Sequence, residues 1–379
     1  MSQYDCIIVG AGPAGASAAY HLSRKGHRVL LLEKAALPRY KPCGGGVSPQ
    51  IADWFDFDFE PVISQKVTRA RYTWKLEDAV EADLGVPIWM VRRNEFDHYI
   101  VQQAQAKGAV LQDATKATGI VFDRNCWQVT TSRNETVSGT YLIAADGARG
   151  PMAKWLGFKA RQAKNIGGAI EIEPRGAVEN GHVVHFEFGL LKNGYVWNFP
   201  KRDGYSIGSG VFHSGRDRKS NDLLQPMVDY AAAFGVDGDA AKKHGHPVCI
   251  WQGDQILHAQ NALLAGEAAC MVDPFTAEGI RPSIFTGIKA AEAIDRASAG
   301  EANALENYTS IVNTELGSEM RMASRLAKAF YTAPRLGYRV IMKQPGATKA
   351  MMKILTGELK YADMVHKALR KISGGLLAG

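Results

Sequence analysis

The sequence predicts an α/β fold: a Rossmann-type nucleotide-binding domain with an inserted antiparallel-sheet domain and a helical C-terminal region. Three observations lead to this prediction. The chain opens with a strand–helix–strand pattern that carries a glycine motif, and a later apolar strand at 141–145 ends in another glycine-rich turn. The stretches at 62–90 and from about 165 onward alternate apolar and polar residues, as strands with one buried face do. We therefore expect a nucleotide-binding domain that resumes after an insertion.

The glycine motif at 10–15 organises the rest of the chain, because it lies between an apolar strand and a helix. Gly10 permits the tight turn, Gly12 lets a pyrophosphate approach the backbone, and Gly15 brings the helix close to the strands. The helix N-terminus offers N–H groups and the positive end of its dipole to phosphates. After the second strand, Glu33 is placed to accept hydrogen bonds from ribose hydroxyls. The motif predicts a bound dinucleotide.

Composition is that of an ordinary globular enzyme, with 379 residues, 46% hydrophobic and 22% charged. Because the first strand starts at the very N-terminus, we expect no signal peptide, and no apolar run is long enough to span a membrane. The five cysteines are scattered without metal-ligand spacing. We therefore expect a cytoplasmic protein with reduced thiols and no metal.

Positive charge is concentrated in the C-terminal region. From Glu319 to the end the sequence has twelve basic and three acidic residues, interleaved with Met, Leu, Ile, Phe and Tyr. Helices of this composition lie on anionic bilayers. Solvated helices that cap the fold are an equal alternative, and no recognition motif supports nucleic-acid binding. Peripheral membrane contact through this region remains open.

A loop at 38–46 combines prolines, a cysteine and three successive glycines. The bare backbone of Gly44 and Gly45 suits the close approach of a flat ring. Flavoprotein disulfide reductases place a second cysteine five residues after the first, but Ser48 occupies that position, so a dithiol relay is excluded. Cys43 is therefore either a lone thiol that touches substrate or cofactor, or a structural residue.

Aromatic residues alternate along one predicted strand, where Tyr195, Trp197 and Phe199 share a face. On sequence alone, sheet core is favoured over a ligand wall. Farther along, a strand leads into Gly266 and Glu267, and a helix is predicted over 281–297. The N-terminus of this helix would be positively polarised.

Four separated motifs occur in order: the opening unit, Arg-x-x-Phe-Asp, Ala-Asp-Gly, and Gly-Glu-Ala-Ala…Pro…Glu-Gly-Ile. Together they resemble FAD-dependent oxidoreductases of the hydroxylase-like superfamily. Pro-x-x-x-Pro-Cys-Gly-Gly-Gly and Tyr-x-Trp-x-Phe-Pro further resemble the geranylgeranyl reductase family. The resemblance covers residues 1–300 and implies an FAD-binding domain at 1–61, 91–164 and 255–300. It also implies a substrate-binding sheet domain at 62–90 and 165–254, and a C-terminal helical region at 301–379.

The resemblance also implies roles for particular residues. The expected cofactor-binding residues are Gly10, Gly12, Pro13, Ala14, Gly15, Glu33, Lys34, Arg39, Cys43, Gly44, Gly45, Arg93, Asp146, Gly147, Gly266, Glu267, Pro274, Gly279 and Ile280. A polyprenyl chain would lie along Tyr195, Trp197 and Phe199, with Cys43 as the candidate catalytic residue. In three places the sequence departs from the family: Glu267 replaces an Asp, and Cys270 and Ala277 replace glycines.

The implied reaction saturates C=C bonds of a geranylgeranyl or related polyprenyl lipid with hydride from N5 of reduced flavin. NADPH, NADH or ferredoxin would supply the electrons, since no second glycine motif of comparable context marks a nicotinamide domain. Two alternatives use the same scaffold. One is a flavin-dependent monooxygenase or halogenase, and the other is a flavin-binding protein without catalysis.

Overall fold

The computed structural model describes residues 3–158, 166–212 and 223–364. These form two compact units, unit 1 at 1–41, 92–167 and 247–317, and unit 2 at 42–91, 168–246 and 318–379. The division differs from the predicted domains at several boundaries. Unit 2 contains residues 42–61 and the predicted C-terminal region from 318 onward, whereas residues 247–254 and 301–317 belong to unit 1. The last basic residues of the predicted tail, from 365 onward, lie outside the described residues.

Unit 1 is built on an eight-stranded sheet. Its strands are β1 (Tyr4–Val9), β2 (Val29–Leu32), β6 (Val110–Gln112), β7 (Ala117–Asp123), β8 (Cys126–Thr131), β9 (Thr136–Ala144), β15 (His258–Ala259) and β16 (Ala262–Leu264). Six of them follow the order β15-β16-β9-β1-β2-β6, and β8 pairs with both β7 and β9 beside this path. β1 pairs in parallel with both β2 and β9. Continuous apolar runs such as Val29–Leu32 are buried throughout, as expected for parallel strands covered on both faces.

Helices cover this sheet and bring the glycine motif into place. They are α1 (Pro13–Arg24), α2 (Arg93–Ala106), α3 (Met152–Trp155), α5 (Ile280–Ser298) and α6 (Ala304–Glu315). α1 and α5 pack so closely that a side chain at Gly287 would collide with the backbone of Ala14. The predicted helix at 281–297 is confirmed to within one residue at each end.

Unit 2 contains a second eight-stranded sheet. Its strands are β3 (Gly46–Val47), β4 (Ile63–Trp74), β5 (Glu77–Val91), β10 (Ile166–Ile172), β11 (Val183–Phe188), β12 (Gly194–Lys201), β13 (Gly204–Val211) and β14 (His244–Cys249). They lie in the order β14-β10-β13-β12-β11-β4-β5-β3. The predicted antiparallel pattern holds for most neighbours, but β11 pairs with β4 in parallel.

The two faces of this sheet pack against different helices. On one face, Val196 and Ile207 belong to a hydrophobic core that also contains Tyr205 and Tyr230 and includes residues of helix α4 (Leu224–Ala232). The opposite face carries aromatic rings and contacts the C-terminal helices, since Phe188 meets Phe330 with ring centroids 5.4 Å apart. Those helices are α7 (Gly317–Thr332), α8 (Pro334–Gly337), a π-helical turn (Tyr338–Met342) and α9 (Pro345–Leu355). Among the described helices, none is both long and apolar enough to cross a bilayer.

Candidate functional site

The three glycines of the opening turn differ in what surrounds them. A side chain at Gly10 or Gly15 would collide with protein backbone, Ala145 O and Gly10 O respectively, so close packing requires glycine at both positions. A Cβ on Gly12 would meet, among the described residues, only Arg39 Nη2 at 3.7 Å. The backbone of Gly12 is extended, with φ −80° and ψ −175°, which any residue adopts. Protein packing therefore does not explain Gly12, whereas room for a ligand does.

The N-terminus of α1 is suited to an anion. Gly12 occupies the N-cap position and cannot cap the helix with a side chain, and Pro13 begins the helix where its missing N–H costs nothing. The first turn contains no acidic residue that would compete for the dipole. The helix thus presents its first N–H groups beside the open space at Gly12, which is the arrangement that binds a pyrophosphate.

Glu33 directly follows β2 and is buried beside the turn. Its Oε2 accepts a hydrogen bond from Ala11 N at 3.0 Å, and its Oε1 accepts one from Ala35 N at 3.2 Å. Arg39 Nε lies 3.3 Å from the same Oε2. The carboxylate is therefore fixed in position at the end of the strand, while the neighbouring Lys34 is exposed. The predicted contact of Glu33 with a ribose stays a prediction.

Asp97 joins two arginines from different parts of the chain. Arg93 donates to it from Nε at 2.7 Å and from Nη2 at 2.8 Å, and Arg39 donates from Nη1 at 3.1 Å. Burial disfavours the charged carboxyl, but the adjacent arginines outweigh it and hold the pKa of Asp97 below its ordinary value. Asp97 is part of the Arg-x-x-Phe-Asp motif but was not among the predicted site residues. Through it, Glu33, Arg39 and Arg93 form one connected charged network.

The Ala-Asp-Gly turn lies directly behind the glycine motif. Asp146 Oδ2 accepts a hydrogen bond from Met152 N at 2.9 Å, which ties the turn to α3. Gly147 has φ +76°, a left-handed conformation that favours glycine. Its neighbour Asp146 lies beside Gly10, since a Cβ on Gly10 would come 3.0 Å from Asp146 Cα. The structure therefore brings these two distant turns together.

Gly266 and Glu267 follow β16 and face the start of α1. Gly266 has φ +62°, and a Cβ there would lie 2.8 Å from the side chain of Ala14. Glu267 Oε1 accepts a hydrogen bond from Cys249 N at 3.2 Å, and Lys41 Nζ lies 3.8 Å from Oε2. The carboxylate is therefore engaged with protein groups, and its predicted contact with the ribityl chain stays a prediction.

Two positions where the sequence departs from the family pattern have left-handed backbones. Cys270 has φ +52° and Ala277 has φ +58°. Glycine adopts this conformation without cost, whereas an ordinary residue pays roughly 1–2 kcal/mol. The replaced glycines therefore occur where the backbone favours glycine.

The segment before α5 is held by its own acidic residues. Asp273 Oδ1 accepts hydrogen bonds from Phe275 N and Thr276 N, which fixes the loop around the buried Pro274. Glu278 Oε1 accepts one from Arg281 N at 2.8 Å, so one N–H of the first turn of α5 already has a partner. Burial raises the pKa of Glu278.

The same helix starts at two of the predicted cofactor residues. Gly279 is the N-cap of α5, and the buried Ile280 is its first residue. A Cβ on Gly279 would approach Val272 Cγ2 to 3.1 Å. The predicted polarised helix start is present at this point, and its contact with a flavin stays a prediction.

One expectation about the cysteines is wrong. The structure joins Cys249 and Cys270 in a disulfide, although the sequence indicated only reduced thiols. Ile250 pairs with Val272 in an isolated parallel bridge close to both cysteines, and Cys249 and Cys270 have a Cα–Cα distance of 4.7 Å. Cys6, Cys43 and Cys126 are outside disulfides.

In unit 2, the Cys43 loop is held by two buried charged side chains. Cys43 N donates to Glu171 Oε1 at 2.8 Å, and Lys201 Nζ donates to Gly44 O at 2.5 Å and to Val91 O at 3.0 Å. Glu171 and Lys201 are 1% and 0% exposed. Burying two such groups around a short loop is costly unless they are well paired, so the conformation of this loop is strongly specified.

The loop lies against the predicted aromatic wall of the same unit. A Cβ on Gly44 would come within 2.7 Å of Phe199 Cδ2 and 3.3 Å of Trp197 Nε1. Trp197 Nε1 donates to Ser206 Oγ at 3.3 Å, and Ser206 Oγ donates to Glu171 Oε2 at 3.3 Å. The glycine therefore lets the backbone rest on the rings, and the same acid contacts both the loop and the wall.

The wall is larger than predicted. Tyr195 and Trp197 have ring centroids 6.1 Å apart, and Trp197 and Phe199 have centroids 6.3 Å apart, so the three share one face of β12. Phe186 on the adjacent strand meets Tyr195 at 5.7 Å and Phe199 at 5.2 Å. The same face carries further rings that sequence reasoning missed, Tyr72, Phe188 and Phe212, and Phe330 of α7 packs against Phe188. Period-two alternation in Val183–Phe188 was the signal that could have found Phe186 and Phe188.

Each unit contributes a feature that suits a flavin enzyme. Within residues 3–158, 166–212 and 223–364, no three His, Cys, Asp or Glu side chains are grouped as ligands for a metal ion. Unit 1 offers an uncapped helix N-terminus with open space at a glycine, which fits the diphosphate of FAD. Unit 2 offers a face of aromatic rings beside a rigid loop.

Sequence comparison identifies the family. The FAD binding domain family matches this chain over residues 3–311. The chain belongs to that family. It is an FAD-binding oxidoreductase, in agreement with the uncapped helix and the open position at Gly12.

Its relatives confirm the resemblance to geranylgeranyl reductases. An uncharacterised Methanosarcina barkeri protein is 28% identical, covering 90% of this chain and 87% of its own. Menaquinone reductase of Mycobacterium tuberculosis is 28% identical, with 87% and 85% covered. Digeranylgeranylglycerophospholipid reductase 1 of Methanothermobacter thermautotrophicus is 27% identical, with 84% and 85% covered.

Solved structures share the fold. A geranylgeranyl bacteriochlorophyll reductase-like protein from Thermoplasma acidophilum aligns with a TM-score of 0.78 at 19% identity, covering 98% of this chain and 96% of the other. The flavin-dependent brominase Bmp2 aligns with a TM-score of 0.72 at 18% identity, covering 97% and 99%. The fold alone therefore does not distinguish reduction from halogenation.

Proposed function

We propose that this protein is an FAD-dependent reductase that saturates C=C bonds of a geranylgeranyl or related polyprenyl lipid. The observation that carries the proposal is the aromatic face of unit 2, on which Tyr195 and Trp197 are buried and Phe186 and Phe199 are half-buried, because apolar rings of this kind line sites for hydrocarbon chains. Menaquinone and digeranylgeranylglycerophospholipid, for which two relatives are named, both carry long isoprenoid chains.

Particular residues would hold FAD. The backbone at Gly12, Pro13 and Ala14, together with the α1 N-terminus, would bind the diphosphate. Glu33 would accept hydrogen bonds from the adenosine ribose, with Arg39 and Arg93 stabilising the surrounding charge through Asp97. The remaining predicted contacts, at Asp146–Gly147, Gly266–Glu267, Pro274 and Gly279–Ile280, are proposed on the family resemblance. When bound and reduced, FAD supplies the hydride to the alkene.

The chain's own contribution is to hold the alkene dry and to deliver a proton. In this proposal Trp197 and its neighbouring rings exclude water from the hydrocarbon. Glu171 and Lys201 act as positioning residues, because their hydrogen bonds fix the Cys43–Gly45 loop. Cys43 is the candidate acid, placed by that loop, and its thiol Sγ already accepts a hydrogen bond from Gly45 N at 3.4 Å.

Two aspects concern the partners. We propose NADPH, NADH or ferredoxin as the external reductant, since no second nucleotide motif of comparable context occurs in the sequence. A lipid substrate also requires access to a bilayer, for which the basic C-terminal region supports peripheral membrane contact.

A flavin-dependent monooxygenase or halogenase is the second candidate, favoured by the fold shared with brominase Bmp2. Oxygen requirement separates the two. We expect a geranylgeranyl lipid to reoxidise the dithionite-reduced protein under argon, and the return of the oxidised flavin absorbance measures this reaction. Reoxidation only after admission of oxygen would favour the second candidate.

A further inference from the structure

A strand turn in unit 2 exposes a leucine at considerable backbone cost. Lys75 and Leu76 connect β4 to β5 with φ values of +54° and +65°. Glycine and asparagine are favoured at such positions in tight hairpins. Leu76 nevertheless occupies one of them and is 51% exposed. At this position both the backbone conformation and the exposure of the apolar side chain are unfavourable.

The turn is held in this conformation by a buried acid. Glu187 is 0% exposed, and its carboxylate accepts hydrogen bonds from Thr73 Oγ1, Lys75 N and Leu76 N at 2.5, 2.7 and 3.0 Å. Burial of this carboxyl raises its pKa, and the three donors oppose that effect. A buried acidic side chain therefore fixes the position of an exposed turn.

Two further exposed aliphatic residues lie on the C-terminal helices. Leu336 and Val340 are 61% and 56% exposed and are four residues apart, so they lie on one side of the helical segment. The buried Tyr338 anchors this segment to the hairpin, because its hydroxyl donates to Asp78 O at 2.7 Å and to Tyr72 O at 3.1 Å.

The hairpin and the helical segment meet at one cavity. It measures about 460 Å³ and is lined by Trp74, Lys75, Glu77, Asp78, Arg335, Tyr338 and Arg339, so Leu76, Leu336 and Val340 are sequence neighbours of lining residues rather than part of the lining. Lys343 forms an ion pair with Asp78 at 2.5 Å, which closes the hairpin onto the helices. We call the exposed residues Leu76, Arg335, Leu336, Arg339 and Val340 the tip surface.

Its charge is predominantly positive. It contains Arg335 and Arg339 and no acid; residues 334–357 add three lysines, of which Lys343 pairs with Asp78 and Lys353 pairs with Glu358. The acids opposite them are Glu77 and Asp78 on the hairpin, and the second is already paired with Lys343. Separate aliphatic side chains flanked by arginines are typical of a surface that inserts shallowly among lipid headgroups.

We propose that the tip surface docks this protein onto an anionic lipid bilayer. The inference rests on the proposed lipid substrate and deepens it, because it names the face through which the enzyme meets the membrane. Leu76, Leu336 and Val340 enter the headgroup region, while Arg335 and Arg339 bind anionic headgroups.

The test is co-sedimentation of the full chain with phosphatidylcholine vesicles that contain phosphatidylglycerol. Arg335→Gln with Arg339→Gln should lower the partition constant roughly 30-fold, at roughly fivefold per basic residue. Leu336→Ser with Val340→Ser should lower it roughly tenfold or more, because burial of each apolar side chain is lost. Salt should weaken wild-type binding.

Matched controls come from another hairpin, between β7 and β8. Val121 is 60% exposed, and the Arg124 side chain is 92% exposed. Val121→Ser and Arg124→Gln should leave vesicle binding unchanged. Equal losses in the control and tip variants, equal binding to pure phosphatidylcholine, or no binding at all would overturn the proposal.

Activity distinguishes this proposal from the proposed function. The tip variants should retain bound flavin and turnover of a detergent-dispersed geranylgeranyl lipid, but lose turnover of the same lipid in vesicles. If wild-type protein binds anionic vesicles and reduces no prenyl lipid in either form, the docking surface stands and the reductase proposal fails. If the wild-type protein turns over the lipid in detergent but does not bind vesicles, the reductase proposal stands and the docking surface fails.

Discussion

A Cβ placed on Gly12 would have Arg39 Nη2, at 3.7 Å, as its one neighbour within 4 Å among the described residues. Gly15, three residues later, has no such room, because a Cβ there would collide with Gly10 O. One motif thus contains a glycine required by the fold and another that only a ligand explains.

Gly12→Ala should therefore separate cofactor binding from folding. We expect the purified variant to lose bound flavin, seen as loss of yellow absorbance, while its far-UV circular dichroism remains that of the wild-type protein. Gly15→Ala is the matched comparison and should reduce the yield of folded protein. Gly12→Ala protein that retains wild-type flavin content would place the diphosphate elsewhere.

Asp97→Asn should destabilise the protein by about 3–5 kcal/mol, because the buried Arg93 and the half-buried Arg39 lose their shared carboxylate. Since the pKa of Asp97 is lowered on folding, its contribution to stability is present above its ordinary pKa of 3.8 and is lost as the pH falls through the folded value. Urea denaturation at several acidic pH values should show a shallower pH dependence in Asp97→Asn than in the wild-type protein. An unchanged dependence would mean that the network does not stabilise the ionised carboxyl.

Trp197→Ala should lower turnover of a prenyl lipid and leave flavin content intact, because Trp197 belongs to the aromatic face and not to the nucleotide site. Trp197→Phe preserves an apolar ring but removes the hydrogen bond to Ser206, so it tests the wall without emptying it. Steady-state kinetics and flavin absorbance measure the two effects. Parallel loss of turnover and flavin in both variants would identify Trp197 as structural core.

Cys43→Ala distinguishes the two roles left open for this thiol. If Cys43 supplies the proton, kcat should fall roughly hundredfold with flavin content unchanged. Glu171→Gln should also lower kcat, because the carboxylate that holds the loop through Cys43 N is replaced by an amide. Cys43→Ser should have a higher kcat than Cys43→Ala. Wild-type kcat in Cys43→Ala would assign the residue a structural role.

How far the sequence predicts this molecule depends on how local each contact is. The strand–turn–helix at Tyr4–Arg24 was predictable because its glycines and its apolar run are adjacent in the chain. Asp97 as the hub of a charged network was not, since its partner Arg39 lies 58 residues away and no spacing rule connects them. The Cys249–Cys270 disulfide depends in the same way on an isolated bridge between distant loops.

The aromatic face shows both situations at once. Alternation in β12 predicted that Tyr195, Trp197 and Phe199 share a face, and the ring distances confirm it. The contribution of Phe186 required knowing that β11 lies beside β12, a pairing that the sequence pattern does not specify. Strand faces are local properties, whereas strand neighbours are set by the whole fold.

The most direct test of the central claim is mass spectrometry of a geranylgeranyl lipid after anaerobic incubation with the dithionite-reduced protein. We predict that the lipid gains the mass of two hydrogen atoms for each saturated bond, and that Gly12→Ala protein produces no gain. An unchanged lipid, recovered from protein that has kept its flavin and is fully reduced, would contradict the proposed reduction of isoprenoid double bonds.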